Sequence, residues 1–151
     1  MLRLTKRLML AIKAVVDIAC NASELPVQSS DIAQRLDISK RYLEPILQQL
    51  VHADILSGVR GPHGGYRLSR SRRRISLGEI ARVVAAMEGT TDPLDEAASS
   101  DLGQAVLRPL WQELNDTAIT RLESVSIDDI CRRARDANVE PPAAPQFDFM
   151  S

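Results

Sequence analysis

The stretch Val59-Arg60-Gly61-Pro62-His63-Gly64-Gly65-Tyr66-Arg67-Leu68 sets three glycines and a proline between two short β-type runs, residues 55–60 and 66–69, with arginines on either side. This pattern predicts a β-hairpin with a small cationic tip. Glycine removes the bulk that would hold the backbone away from a surface, and it reaches positive φ without strain. Arginine supplies a guanidinium for a phosphate chain or for a narrow groove of negative potential. Arg60 is the candidate for that insertion, and Gly61, Pro62, His63, Gly64, Gly65 and Tyr66 form the tip around it. Arg72-Arg73-Arg74 follow and extend the cationic character. A nucleotide-type phosphate loop is excluded, because no Gly-Lys-Ser/Thr follows and no helix begins at the glycines.

A second group lies just ahead of the hairpin. Ser39, Lys40, Arg41, Tyr42 and Glu44 fall at the start of a capped helical segment. Lys and Arg can hold phosphates, and Arg can also bind guanine through two hydrogen bonds. Ser39 and Tyr42 can donate to phosphate, and a helix N-terminus itself favours anions. Glu44 is the selective element. A carboxylate facing DNA is repelled unless it accepts from cytosine N4.

The elements that position these residues follow from periodicity and caps. Leu4, Leu8, Ile12, Val15 and Ala19 recur at helical spacing and predict a first helix over residues 4–22. After a loop holding Pro26, Ser29 or Ser30 is expected to cap a second helix over 31–36, with Asp31 in its first turn. Asp37-Ile38 makes a tight turn, and Ser39 caps a third helix over 40–51. Ile32, Ala33, Leu36, Ile38, Leu43, Ile46, Leu47 and Leu50 close the core of this helix-turn-helix. Pro45 is expected to kink the third helix or tighten its first turn, leaving residues 40–44 as a distinct segment.

Downstream, Ser76-x-x-Glu79 is a capping box for a fourth helix over 77–87, with Ile80, Val83, Val84 and Met87 facing inward. Residues 88–101 form an acidic linker with Pro93. A fifth helix begins its regular part near Arg108, since Pro109 suits a first turn. It carries the stripe Leu107, Leu110, Trp111, Leu114, Ala118 and Leu122. That stripe can serve a dimer interface or pack on the chain's own helices. Ser126-x-x-Asp129 caps a last helix to about Ala137, and residues 139–151 form a proline-rich tail. The architecture expected is mainly α: a winged helix-turn-helix domain over 1–80, linker and dimerisation helices over 81–138, and the tail.

Composition narrows the partners. Residues 1–80 hold 13 Lys+Arg and 7 Asp+Glu, a charge of +6, while 81–151 hold 6 and 13, a charge of −7; the net charge is −1. A cationic half suits a polyanion and an acidic half would keep clear of it. The early basic residues look like a leader, but Lys13 and Asp17 interrupt the apolar run. No membrane partner is expected, and cytoplasm is the expected compartment. Two cysteines, Cys20 and Cys131, are too few for a disulfide scaffold. They read as buried inert thiols or as redox sites, Cys131 beside Arg132 and Arg133. No nucleophile–base pair points to an enzyme.

Arg3-Leu4-Thr5, Ser39 with Tyr42-Leu43-Glu44, and the residue 59–68 hairpin together resemble the Rrf2 family of bacterial winged-helix regulators. The similarity continues through residues 75–88 and Leu110-Trp111 and covers roughly residues 1–137. The resemblance implies a transcriptional regulator, a repressor in our expectation, that binds double-stranded DNA as a homodimer on a pseudo-palindromic operator, with the fifth helices crossing between subunits. Thr5 and Ser29 join the residues expected to face DNA. Cluster-binding members carry three closely spaced cysteines between the fourth and fifth helices. Here residues 88–107 contain none, so no cofactor and no iron–sulfur cluster is expected. Asp92, Asp95, Glu96 and Asp101 could hold a hard cation or simply be solvated. Three alternatives stand beside this reading: a thiol sensor using Cys20 or Cys131, a cluster on those cysteines with His52 or His63, and a protein-binding co-regulator that no longer reads an operator. An effector could enter a hydrophobic space between the fourth and fifth helices near Trp111.

Overall fold

The computed structural model describes residues 4–21, 24–88 and 100–139. Arg3, the linker residues Asp92, Pro93, Asp95 and Glu96, and the tail beyond Val139 lie outside these residues. In chain order the elements are α1 (Lys6–Asn21), α2 (Ser29–Leu36), α3 (Lys40–His52), β1 (Leu56–Val59), β2 (Gly65–Leu68), a 3-10 turn (Arg72–Arg74), α4 (Leu77–Met87), a π turn (Gly103–Leu107) leading into α5 (Arg108–Glu123), and α6 (Ile127–Asp136). The class is mainly α with a β-hairpin wing, as the sequence predicts. Among the described residues no helix is long and apolar enough to cross a membrane.

Helix α1 begins later than its apolar spacing suggests. The Thr5 hydroxyl accepts from the Leu8 amide at 3.1 Å and so caps the helix. Leu4 therefore sits outside it and is 84 % exposed, not part of the buried stripe. Leu8, Leu10, Ala11, Ala14, Val15 and Ile18 are buried on the inner face. Asp17, which breaks the apolar run in the sequence, is only 2 % exposed. Its carboxylate takes two hydrogen bonds from Arg35 on α2, at 2.8 and 2.7 Å. The pair pins α2 to α1, and the paired carboxylate holds the Arg35 guanidinium even more firmly charged than usual.

The helix-turn-helix forms with one shift of register. Helix α2 starts at Ser29 and its capping position is Gln28, which makes no side-chain cap, so neither Ser29 nor Ser30 caps it. The cause is non-local. Val27 is tied to Tyr66 of the wing by two backbone hydrogen bonds, at 2.9 and 2.7 Å, which keeps the chain extended up to Gln28. Asp37 closes α2 in the left-handed conformation, φ 53°. The Ile38 amide then donates to the Ala33 carbonyl at 3.0 Å, making the tight turn.

Helix α3 runs through Pro45 as one element, so residues 40–44 are not a separate segment. Magnitudes decide this. Leu43, Ile46, Leu47 and Leu50 are buried on both sides of the proline. Burial contributes roughly 1.5–3 kcal/mol for each such side chain. Proline in a helix interior costs about 3 kcal/mol.

One core joins Leu8 of α1 to Cys131 of α6 and includes Ile80, Ala81 and Val84 of α4 together with Val125 and Ile127. Helices α4 and α6 start side by side. Ser76 and Ser126 form an isolated antiparallel bridge, with the Leu77 amide donating to Val125 and the Ile127 amide to Ile75, at 2.9 and 2.8 Å. Both predicted capping boxes are present, Ser76 with Glu79 and Ser126 with Asp129. Burial alone would raise the Glu79 carboxyl. The Ser76 amide and Arg70 overcome it and hold the group below its ordinary range.

Candidate nucleic-acid interface

The wing pairs Leu56 with Leu68, Ser57 with Arg67, Gly58 with Tyr66 and Val59 with Gly65. Its glycines serve the hairpin's own geometry first. Gly61 takes φ 116°, and its carbonyl accepts from the Gly64 amide at 2.9 Å to close the tip. A Cβ on Gly64 would fall on the Val59 carbonyl, and one on Gly65 would fall on the Val27 carbonyl. The close backbone approach expected of these residues is therefore made within the chain, where it docks the wing against the α1–α2 connection. Arg60, Gly61, Pro62 and His63 form the exposed rim of the tip.

An open groove of about 630 Å³ lies between the start of α2, α3 and the wing. It is lined by Ser29, Lys40, Arg60, Gly61, Pro62, Gly64, Gly65 and Tyr66. Eight of the predicted DNA-facing residues are thus brought to one hollow from three elements. Gln28, Ser30, Gln48 and Gly58 share it and were not anticipated. Arg41 and Glu44 lie on the adjoining face of α3, where a shallow depression also touches Lys40, Pro45 and Gln48. Gln48 follows Arg41 and Glu44 at helical spacing, and that signal could have found it. Thr5 is apart from this group, capping α1.

Ser39 accepts from the Tyr42 amide at 3.2 Å, which commits its oxygen to the cap and leaves its O–H to donate. Tyr42 is half-buried against the core. Lys40 Nζ lies 3.7 Å from Glu44 Oε1 along the helix, both well exposed. Gln48 Nε2 donates to the Tyr66 hydroxyl at 3.3 Å, joining α3 to the wing. Burial pushes the Tyr66 phenol up, the Glu44 carboxylate adds to the effect, and the Gln48 bond opposes it. Tyr66 therefore stays neutral, with its own O–H available as a donor.

Arg72, Arg73 and Arg74 do not extend the wing tip. They form a 3-10 turn against α6. Arg72 Nε lies 2.9 Å from Asp128 Oδ1, and Arg73 Nε lies 3.9 Å from Asp128 Oδ2. Arg132 meets the same carboxylate at 3.3 Å. Asp128 is 6 % exposed, and these guanidinium partners offset the cost of its burial. Arg70 is likewise engaged, 2.9 Å from Glu79.

The apolar stripe of α5 divides along its length. Leu107, Leu110, Trp111 and Leu114 lie on the exposed surface. Ala118 is intermediate, and Leu122 packs against the core. No residue of α5 is buried within this chain. The hollow found along α5 is lined by Pro109, Gln112, Glu113, Asp116, Thr117 and Thr120, and Trp111 is not part of it.

Cys20 and Cys131, taken separately in the sequence, stand with their Sγ atoms 3.7 Å apart. His52 ends α3 and His63 sits at the wing tip. Among the described residues no three His, Cys, Asp or Glu side chains gather as a metal-binding group.

The comparisons with known proteins agree with this geometry. Residues 4–133 match the Rrf2 family, described as an iron-dependent transcriptional regulator. The HTH-type transcriptional regulator BadM of Rhodopseudomonas palustris is 36 % identical over 132 residues, covering 87 % of this chain and 82 % of BadM. IscR of Xenorhabdus nematophila is 30 % identical over 131 residues, covering 87 % and 80 % of the two chains. The solved structure of T. potens IscR superposes with a TM-score of 0.72 at 27 % identity, over 92 % of this chain and 93 % of that one. CymR of B. subtilis, the global cysteine regulator, gives 0.68 at 25 % identity over 88 % and 98 %. With its helix-turn-helix and wing on one face and these relatives beside it, the chain belongs to the Rrf2 family and is a DNA-binding transcriptional regulator.

Proposed function

We propose that this regulator acts in the cytoplasm as a homodimeric repressor on a pseudo-palindromic operator, without an iron–sulfur cluster. The observation that carries the DNA reading is the shared groove of α2, α3 and wing, with Arg60 on its rim and the Arg41–Glu44 face beside it. On this reading α3 enters the major groove, where Arg41 and Lys40 hold phosphate or guanine and Glu44 accepts from cytosine. Arg60 enters the flanking minor groove, where a guanidinium senses width and potential. A dimer would place two such faces on successive turns of the duplex, about 34 Å apart. Repression then follows from occupancy, because a dimer seated in both grooves blocks a promoter.

The dimer reading rests on the exposed stripe Leu107, Leu110, Trp111 and Leu114. Apolar side chains gathered on one face are the mark of an interaction surface. The cluster-free reading rests on donor chemistry. Protein-bound clusters are held mainly by several thiolates. This chain has two cysteines in all, placed between α1 and α6 rather than in residues 88–107.

The test is a salt series on a fragment of the protein's own promoter. Affinity should fall steeply as salt rises, through counterion release. Absence of salt-dependent binding to any fragment would overturn the operator reading. Sedimentation should give twice the chain mass of 16.7 kDa, and Leu110→Glu should give the monomer. Anaerobically purified protein should show no visible absorption band; a band lost on chelation or oxidation would overturn the cluster-free reading.

A further inference from the structure

Cys20 and Cys131 are 111 positions apart, and the fold brings their Sγ atoms to 3.7 Å. Cys20 is exposed in the last turn of α1, and Cys131 is buried on α6. Neither touches the α3–wing face, so the DNA reading does not use them. The two sulfurs are the chain's whole thiol content. We propose that they are a reversible dithiol–disulfide pair, closed by a peroxide and reopened by a thiol reductant, that staples α6 to α1.

The asymmetry of exposure assigns the steps. The Cys20 thiolate meets the oxidant and attacks one oxygen of hydrogen peroxide. An S–O bond forms, the O–O bond breaks, and the departing hydroxide takes a proton to become water. Cys131, giving up its proton, attacks the sulfur of the Cys20 sulfenic acid. The S–S bond forms, the S–O bond breaks, and the leaving hydroxide with that proton makes a second water. Two thiols and one peroxide yield one disulfide and two waters. A covalent S–S bond is about 2.05 Å, so the sulfurs must close by roughly 1.7 Å. The sulfenic acid has its resolving thiol already at hand and does not accumulate.

Three groups from three elements face Cys20. Besides Cys131 on α6, Arg72 of the 3-10 turn favours the thiolate and Asp17 of α1 opposes it. Although Cys20 is exposed as a residue, its sulfur is partly buried beside Cys131; that burial, followed by Cys131 itself, pushes the thiol up to about 11. Thiolate is therefore scarce at neutral pH, closure is slow there, and it quickens as pH rises. Sustained oxidant, rather than a brief pulse, is the expected trigger.

The bond would close most of the chain into one loop, and loops of this size constrain the unfolded state strongly. It would also fix the root of the apolar helix. Helix α6 follows α5 after Ser124–Ser126, while α1 packs against α2, α3 and β2. The inference does not rest on DNA reading and can be tested without DNA.

The full chain, purified reduced, is exposed to hydrogen peroxide, alkylated with iodoacetamide and weighed intact without reductant. The expected product is about 2 Da lighter than the reduced chain, carries no alkyl groups, yields a Cys20–Cys131 linked peptide, and reverts with dithiothreitol. Its Tm should rise by about 5 °C or more. Cys20→Ser, a change at an exposed position, should keep one alkylatable thiol and show no Tm rise. Cys131→Ala should leave Cys20 trapped by dimedone, while the unaltered chain gives no dimedone adduct. Cys20 carried to sulfinate with Cys131 still alkylatable would overturn the proposal. So would a linked dimer of chains through Cys20, or a fully linked chain that melts no higher than the reduced one.

Discussion

Arg60 and Arg72 are the same residue type twelve positions apart in one basic stretch, and the fold gives them opposite surroundings. Arg60 lies exposed on the rim of the groove between α3 and the wing. Arg72 is turned the other way, 2.9 Å from the buried carboxylate of Asp128. The charge of +6 over residues 1–80 is therefore not the charge offered to DNA. Asp17 and Glu79, counted in that same window, are engaged by Arg35 and Arg70. Asp128, from the acidic half, reaches back to Arg72 and Arg73. On the proposed function, the molecule has a reading end with exposed charge, and it has a welded end where charge is paired across α1, α2, α4 and α6. Changes at the weld should cost stability, and changes at the tip should cost affinity.

Asp17→Ala is the strongest way to break that division. It leaves Arg35, whose side chain is 10 % exposed, without the carboxylate it binds twice. A buried charge stripped of its partner costs about 3–5 kcal/mol. Equilibrium denaturation should show that loss. A variant as stable as the parent would mean that water already reaches the pair and that the weld is weaker than its geometry indicates.

Arg60→Ala and Arg72→Ala sharpen the contrast on equal chemistry. Arg60→Ala should weaken operator binding, relax preference at a narrow-groove position and reduce the salt slope by about 1. Its Tm should stay close to that of the parent. Arg72→Ala should lower Tm instead, since Asp128 loses its nearest guanidinium, while the salt slope stays the same. Equal salt slopes for both variants would place Arg72 on the DNA after all.

Local signals in the sequence located much of this. Both capping boxes, the Ser39 cap and the hairpin strands depend on residues within a few positions of each other, and the structure keeps them there. What the sequence hid is non-local. The capping of α2 moves to Gln28 because Tyr66 of the wing holds Val27 extended. The two cysteines meet only because α6 folds back on α1. The arginine triplet looks like part of the tip until Asp128 is placed beneath it. Of the groove residues, Lys40 and Arg60 were expected from residue type, and Ser29 only through the family resemblance. Gln28 and Ser30 were not, because their place depends on the wing docking against the α1–α2 connection.

A smaller effect separates the two ends by pH. Glu79 is held below its ordinary range by the Ser76 amide and Arg70, which overcome its burial. A depressed carboxyl adds stability that is present above its unfolded pKa and lost as pH falls through the folded value. Stability should therefore decline below about pH 4.5, and Glu79→Gln should flatten part of that decline. Asp129 is shifted in the same direction by Ser126 and Arg132 and will contribute to what remains. An unaltered acid limb in Glu79→Gln would move the acid sensitivity away from the α4 cap.

Glu44 should show the smallest change in affinity and the most telling change in preference. Its carboxylate lies 3.7 Å from Lys40 and close enough to Tyr66 to raise that phenol. In the free protein it partly neutralises the lysine beside the groove. Removing it has two opposed consequences on DNA. Lys40 becomes free to engage phosphate, which strengthens binding to any sequence, while an acceptor for cytosine N4 is lost, which weakens binding to one. The two partly cancel for the operator and add together in the ratio of specific to nonspecific binding. Glu44→Ala should therefore leave operator affinity within about tenfold of the parent while the ratio falls. Glu44→Gln keeps the length of the side chain and gains a donor, which suits adenine N6 and N7, so preference at that one base pair should move from cytosine toward adenine. If both variants instead shift affinity by the same factor on every sequence, Glu44 acts only through Lys40, and the reading end holds DNA there without reading it.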